Sequence, residues 1–362
     1  MRQAARPFIS LVIPLRNEEA YIADCLRSIL AQDYPRERME ILFVDGGSTD
    51  GTVAILEEAA ERTPQIRLLR NPHRTVPFAM NIGIRAAVGE YVVRLDAHSE
   101  YAPDYVSLSI QTLLSVPCDN AGGVWDTRGR GYMGEAIAGT LTTVFGVGNA
   151  QFRLVPHSGY VDTVPFGAFR RDLFDRIGLY DERLTRNQDN ELNYRIRKNG
   201  GKIYMNERIR CTYYCRASLG ALMRNGYQNG HWNVVTMVLC PGSMGLRHFV
   251  PLSFVLAVVG LPLLWMVTGV SFFGKLMGLM WGAYLALDVF YSYIVAEKRG
   301  WKYLPVLPVI YPAFHFAYGI GSLSGLCRAP GLMRAQRAQN KKDRRDKAKK
   351  KKEKKGSGEA AP

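Results

Sequence analysis

The sequence predicts an α/β fold on an open, mostly parallel sheet, followed by a C-terminal region of membrane-associated helices. Three observations carry this. Short β-branched runs alternate with amphipathic helical stretches between Phe8 and Leu95. The strand-like run Tyr91–Leu95 ends in Asp96, with His98 two positions on. After Phe249, charge nearly vanishes from three long apolar segments. Strands and helices alternating at this spacing form right-handed βαβ units.

Phe8–Leu15 is a buried strand by its β-branched run and its length. Pro14 closes it, and Arg16-Asn17-Glu18-Glu19 opens a helix to about Ala31 with Ile22, Cys25, Leu26, Ile29 and Leu30 on one face. Glu40–Asp45 is the second strand and breaks into Gly46–Gly51, after which Thr52–Arg62 is helical. Ile66–Arg70 is a third strand, Pro77–Ala87 a helix and Tyr91–Leu95 the fourth strand. Beyond it, helices are expected at Pro103–Val116, Phe169–Ile177 and Gln188–Lys198. Strands are expected at Ala121–Asp126, Val161–Phe166, Lys202–Met205 and Cys211–Arg216, and Gly131–Gly146 reads as either a helix or a mobile loop.

Phe249–Phe273 carries no charge over 25 residues, and Leu276–Ala296 carries only Asp288 over 21. A membrane-spanning helix needs about 20 apolar residues, so spans are expected at 249–273 and 276–296. The third segment, 304–327, lacks Lys, Arg, Asp and Glu but is broken by prolines and glycines; it is expected to be re-entrant, interfacial or spanning. The basic loop Glu297–Lys302 and the basic tail both belong on the cytoplasmic side, which favours two spans. The organisation expected is a cytoplasmic domain over 1–240, a membrane region over 241–327 and a basic, disordered tail over 328–362 whose lysines sit against anionic headgroups.

Net charge is +15, but Arg328–Lys355 holds 14 Lys/Arg against 3 Asp/Glu. The folded part is therefore only mildly basic, and no nucleic-acid partner is expected. The six cysteines lack the paired spacing of a zinc site, and reduced thiols suit a cytosolic domain. MRQAARPFIS has no apolar core of a cleaved signal. An inner- or plasma-membrane protein with its N-terminal domain facing the cytoplasm is expected.

An apolar strand ending in Asp96-x-His98 offers a carboxylate and an imidazole at the rim where open α/β sheets bind ligands. The pair is a plausible chelate for a divalent cation carrying phosphates; alone it reads equally as a strand with a polar turn. Pro14-Leu15-Arg16-Asn17-Glu18 and Asp45-Gly46-Gly47-Ser48 lie at the carboxyl ends of neighbouring strands. There a carboxylate can accept hydrogen bonds from a base or ribose, and glycines let the backbone approach a ligand.

FISLVIPLRNEE, EILFVDGGSTDGT, the Asn81–Gly83 N-x-G, YVVRLDAHSE, PFGAFRRDLFDRIGLYDERL and NQDNELNYRIRKNGGKI follow in the order and spacing of family 2 glycosyltransferases. The resemblance spans roughly Phe8–Trp232. The D-A-H variant and the apolar C-terminal segments look most like the succinoglycan-type glucosyltransferases, which act on a lipid-linked saccharide. It implies a GT-A-type, Rossmann-like, open mixed sheet, mostly parallel. Asp45 matches the aspartate that contacts the nucleotide base, supported by Pro14 and Glu18, with Leu15, Asn17, Asn81 and Asp96 on the same nucleotide side. Asp96 matches the first carboxylate of the D-x-D metal motif and His98 replaces the second. The polypeptide N-acetylgalactosaminyltransferases use Asp-x-His for Mn²⁺, so Mn²⁺ or Mg²⁺ is the implied cofactor. Asp189 matches the catalytic base, with Gln188 replacing the usual Glu and Glu191 a second candidate. Arg170 and Arg171 resemble the acceptor-side loop. Gln228, His231 and Trp232 resemble the Q-x-x-R-W box of processive synthases, with His for Arg.

What the resemblance implies is an inverting hexosyltransferase, moving a hexose from a nucleotide diphosphate sugar, UDP-linked by preference, to a polyprenyl-diphosphate-linked saccharide. One base without a second nucleophilic carboxylate is the arrangement for inversion. The partners expected are the donor, the lipid-linked acceptor, the membrane and a polysaccharide assembly complex. Two alternatives stay open: a processive polysaccharide synthase, which normally needs more spans and an intact Q-x-x-R-W, and a non-catalytic nucleotide-binding scaffold.

Overall fold

The computed structural model describes residues 6–154 and 156–356, with side chains to residue 338 and at Lys341. In chain order the elements are β1 (Ile9–Leu15), α1 (Glu19–Leu30), β2 (Met39–Asp45), α2 (Thr52–Arg62), β3 (Ile66–Arg70), α3 (Val76–Ala86), β4 (Tyr91–Arg94), β5 (Ser99–Tyr101), α4 (Tyr105–Ser115), β6 (Asn120–Arg128), α5 (Gly131–Thr140) and α6 (Val144–Val147). Then follow β7 (Gly159–Tyr160), β8 (Ala168–Arg170), α7 (Leu173–Ile177), α8 (Gln188–Lys198), β9 (Ile203–Tyr214), α9 (Leu219–Leu239), α10 (Val250–Thr268), α11 (Ser271–Arg299) and α12 (Leu307–Gly356).

The strands form one mixed sheet in the order β3-β2-β1-β4-β8-β6-β9-β5, with β7 also paired to β9. The long ladders are parallel: β1 runs beside β2 from Ile9↔Met39 to Leu15↔Asp45, and β1 also pairs with β4. The antiparallel pairings, including β8 between β4 and β6, are only two or three residues long. The sheet is therefore mixed and mostly parallel, as expected. Alternation along the strands sends Leu11, Ile13, Ile41 and Phe43 to one face, under α1, and Val12, Leu42 and Val44 to the other, under α3 and α8. Both faces are covered, which explains the near-continuous apolar runs of β1 and β2.

Through β6 the expected elements match to within three residues, and β5 (Ser99–Tyr101) is a strand the sequence did not suggest. Further along, three expectations are corrected. Val161–Phe166 is not a strand; instead Ala168 and Phe169, both buried, pair between β4 and β6, so the strand begins where a helix was expected. Lys202–Met205 and Cys211–Arg216 belong to one strand, β9, because a register shift opposite Gly122/Val124 absorbs the polar Asn206-Glu207-Arg208. The stretch left open as helix or loop, 131–146, is helical over 131–140 and 144–146, as α5 and the start of α6, with a turn between them.

Two helices, Leu246–Thr268 and Ser271–Arg299, are long and apolar enough to cross a membrane. The turn between them, with Gly269 at φ 66°, falls inside the first expected span and re-cuts both. Segment 304–327 is different. Leu307, Ile310 and Phe314 pack with Leu222 of α9 and Ala136 and Ile137 of α5, so its apolarity is used inside the protein. The backbones of α9 and α12 touch: a Cβ on Gly321 would lie 1.9 Å from the Tyr227 carbonyl, and one on Gly230 1.9 Å from the Tyr318 carbonyl. The tail was expected to be disordered, yet α12 continues to Gly356; Ala, Arg, Lys and Gln are strong helix formers even where charge forbids a core. Residues 357–362, and the side chains of the tail lysines beyond Lys341, lie outside what is described.

Because the α9–α12 seam has no room for a side chain, Gly321→Val should cost about 3 kcal/mol through overpacking and lower the thermal midpoint by several degrees. Gly331→Val, on the same helix with open space around it, should leave the midpoint unchanged.

Candidate active site

The site lies at the carboxyl ends of β1, β2 and β4. β1 stops at Leu15 and β2 at Asp45, which are register partners, and the loops beyond them are tied together. The Asp45 carboxylate accepts from the Gly47 N–H at 3.0 Å, the Ser48 N–H at 3.1 Å and the Ser48 hydroxyl at 2.6 Å. Asn17, at φ 56°, donates its N–H to Ser48 Oγ and accepts at Oδ1 from the Thr49 N–H, both at 2.8 Å. The Glu18 N–H donates to Thr52 Oγ1 at 2.8 Å, and the Gly46 N–H to the Leu15 carbonyl at 2.9 Å. Gly47 takes φ 77°, which an L side chain resists. Pro14 and Leu15 are buried beneath, while Asn17 and Gly47 face solvent.

Beside this rim, Asp96 and His98 follow β4. His98 Nδ1 is 3.4 Å from Glu18 Oε1, and the ring meets Tyr213 edge-on at 5.5 Å. Burial pulls the His98 imidazole down, but the Glu18 hydrogen bond and the Asp96 charge outweigh it and raise its pKa. Arg94, in β4, is 3% exposed; its guanidinium pairs with Asp189 and also lies 3.5 Å from Asp96. One side chain therefore joins the carboxylate after β4 to the first turn of α8. Burial raises the Asp189 pKa, Arg94 opposes that, and Asp96 adds to it. Phe166, with the unusual φ of 48° for a bulky residue, lies 5.9 Å from the Arg94 guanidinium.

The expected residues thus separate. Pro14, Leu15, Asn17, Glu18, Asp45, Asp96, His98 and Asp189 gather at one rim. Glu191 is held bidentately by Arg195, at 2.6 and 2.8 Å, and serves as a brace. Asn81 is buried behind the rim; its amide donates to the Tyr180 carbonyl and Glu182 and accepts from the Tyr180 N–H. Arg170 and Arg171 require correction. Arg170 pairs with Tyr91, at the start of β4, and the Arg171 N–H bonds the Glu90 carbonyl, so both lie at the opposite end of the sheet from Asp96. β8 runs antiparallel to β4, which carries them away from the crevice. Gln228 accepts from Arg186, just before α8, at 2.5 Å. His231 instead bonds Ser324 of α12 at 3.2 Å, and Trp232 lies edge-on to His231.

Sequence reasoning missed Arg94. The signal was present: a charged residue inside YVVRLD, an otherwise apolar strand, needs a buried counter-charge. Arg186, which donates to the side-chain oxygens of Asn225, Gln228 and Asn229, had no comparable signal.

Asp96 and His98 supply two donors that suit a divalent ion, with Glu18 beside His98. Among the described residues, no cluster of three or more His, Cys, Asp or Glu could hold a metal alone. The donor set fits an ion completed by a ligand's phosphate oxygens, which is how such sites commonly bind Mg²⁺.

The family description "Glycosyl transferase family 2" matches residues 10–178. The chain is 29% identical over 245 residues to the succinoglycan biosynthesis protein ExoA of Rhizobium meliloti, covering 67% of this chain and 74% of that one. It is 26% identical over 329 residues to a dolichyl N-acetyl-alpha-D-glucosaminyl phosphate 3-beta-D-2,3-diacetamido-2,3-dideoxy-beta-D-glucuronosyltransferase of Methanococcus voltae, covering 89% and 98%. In fold it is similar to the mannosyltransferase PcManGT of Pyrobaculum calidifontis, solved with GDP-Man and Mn²⁺. There the TM-score is 0.61 and the identity 20%, over 88% of each chain. Residues 10–178, ending in the segment that follows β8, match family 2 glycosyltransferases, as the sequence motifs implied.

Proposed function

We propose that this protein is a metal-dependent, inverting hexosyltransferase. It moves a hexose from a nucleotide diphosphate sugar, UDP-linked by preference, to a polyprenyl-diphosphate-linked saccharide at the membrane, in exopolysaccharide or cell-surface glycan assembly. The observation that carries this reading is the Arg94 bridge, which keeps Asp96 and Asp189 on one rim. The likeness to ExoA and to a dolichyl-phosphate glycosyltransferase supports the substrate class. The apolar α10 and α11 support membrane attachment.

Each residue then has a task. Asn17, Glu18 and Asp45, on loops already knitted together, hold the nucleoside. Asp96 and His98 would hold a Mn²⁺ or Mg²⁺ ion on the donor diphosphate. That ion would offset the charge that builds on the departing β-phosphate. Asp189 accepts the proton of the attacking acceptor hydroxyl as the new glycosidic bond forms and the bond from the anomeric carbon to the diphosphate breaks. Its position in the first turn of α8, beside Arg94, keeps the carboxylate oriented. With one base and direct displacement, an α-linked donor gives a β-linked product.

Incubating membranes with a panel of labelled nucleotide sugars should place label in the lipid extract; no transfer from any donor would reject the reading. Asp189→Asn should lower kcat by about 10²–10⁴-fold with nucleotide affinity unchanged, as measured by turnover and equilibrium binding. Asp96→Ala should abolish cation-dependent donor binding, measured by titration with and without chelator. A raised Asp189 pKa means the active, ionised base is lost at higher pH than an ordinary carboxylate would be. The acid limb of kcat/KM should accordingly lie above the usual carboxylate range, and in Arg94→Gln, where the opposing cation is gone, it should move further up.

A further inference from the structure

A cavity of about 590 Å³ opens between β6, the turn joining α5 to α6, and the C-terminal end of α11. Its wall from α11 is Tyr291, Ile294 and Val295, continuing into Lys298 and Arg299. Its wall from the glycosyltransferase domain includes Trp125 and Arg153. The catalytic description above uses none of these residues.

The cavity's chemistry is that of an anion with an apolar stem. Arg153 is half-buried, with its guanidinium 4.3 Å from the Trp125 ring and 4.7 Å from Tyr213. It donates to Thr127 Oγ1 at 3.2 Å, and no described carboxylate pairs with it. A cation removed from water without a counter-charge is costly, and an incoming anion would offset that cost. The Trp125 Nε1–H is also buried without a hydrogen-bond partner among the described residues. Arg210 and Lys298 add positive charge at the lining. Arg299 is already committed to Glu135 at 2.9 Å, and the lining's one acid, Asp126, is paired with Arg128 at 2.7 Å. The apolar side of α11 leads from this cluster along a helix long enough to span a bilayer. Towards the catalytic rim, Trp125 stacks on Tyr213 at 4.2 Å, and Tyr213 meets His98. One aromatic layer separates Arg153 from the candidate metal ligands.

We propose that this cavity receives the phosphate head and first isoprene units of the lipid-linked acceptor. Arg153 is the principal anion partner, Lys298 and Arg210 stand at the mouth, and α11 guides the chain. The proposal rests on the lipid-acceptor reading above, but it is tested by binding and not by turnover, so the two can fail separately.

The test uses the full chain in detergent with radiolabelled farnesyl diphosphate as probe and equilibrium dialysis as readout. The parent should bind the probe and not farnesol. Arg153→Gln should weaken binding at least about tenfold, the loss expected for one charged hydrogen-bonding partner. Lys298→Glu, at an exposed position that does not threaten folding, should weaken it severalfold. Thermal midpoints close to the parent's would show that both variants are folded. Unchanged affinity in Arg153→Gln or in Lys298→Glu would overturn the assignment, and if Arg153→Gln fails to fold, Lys298→Glu decides alone. Equal competition by inorganic diphosphate would mean a free-phosphate site, and equal competition by phosphatidylglycerol micelles would mean a bilayer-headgroup site; either contradicts an acceptor site.

Discussion

The buried guanidinium of Arg94 is the constraint on which the candidate active site depends. A cation inside a parallel sheet is tolerated only with paired charge, and Arg94 finds it in Asp96 and Asp189, from two elements far apart in sequence. Removing either carboxylate would leave the other to neutralise it. The fold therefore cannot place α8 without also setting the distance between the two acids. Two carboxylates against one guanidinium leave the cluster net negative, which suits it to a divalent cation and its diphosphate. The same pairing keeps a carboxylate of raised pKa ionised and oriented where a sugar hydroxyl would arrive.

Around this pair, the loops proposed to hold the nucleotide are tied to each other by their own hydrogen bonds. Asp45, Asn17 and Glu18 spend hydrogen bonds on Gly47, Ser48, Thr49 and Thr52, so two loops from adjacent strands form a single wall. Such prior ordering reduces what binding must cost. On the far side, close packing of α9 on α12 joins the domain to its apolar helices through glycine contacts. The domain and its apolar helices are thereby linked by rigid elements and not by a flexible tether.

Much of this could be read from the residues. Strands with near-continuous apolar, β-branched runs, such as FISLVIPL and EILFVD, are dictated by local sequence, and the rim residues follow because parallel strands expose their carboxyl ends. What could not be read depends on tertiary placement. Arg170 and Arg171 share a motif with Phe166 and Gly167, but the antiparallel direction of β8 sends them to the opposite end, and direction is not encoded in a three-residue strand. The apolar stretch 304–327 looks like membrane until α9 is seen to cover it. The basic tail lacks a core but not helical propensity, so composition spoke to burial and not to backbone conformation. Arg94 was legible in retrospect, since a lone charge in an apolar strand implies a partner.

The most direct measurement is a double-mutant cycle on kcat/KM with Arg94→Gln and Asp189→Asn. If Arg94 acts by holding Asp189 beside Asp96, its removal should cost little once the base is gone, and the double variant should be scarcely slower than Asp189→Asn alone. Fully additive losses would mean that the two side chains work independently, and the account of a single bridged site would be contradicted.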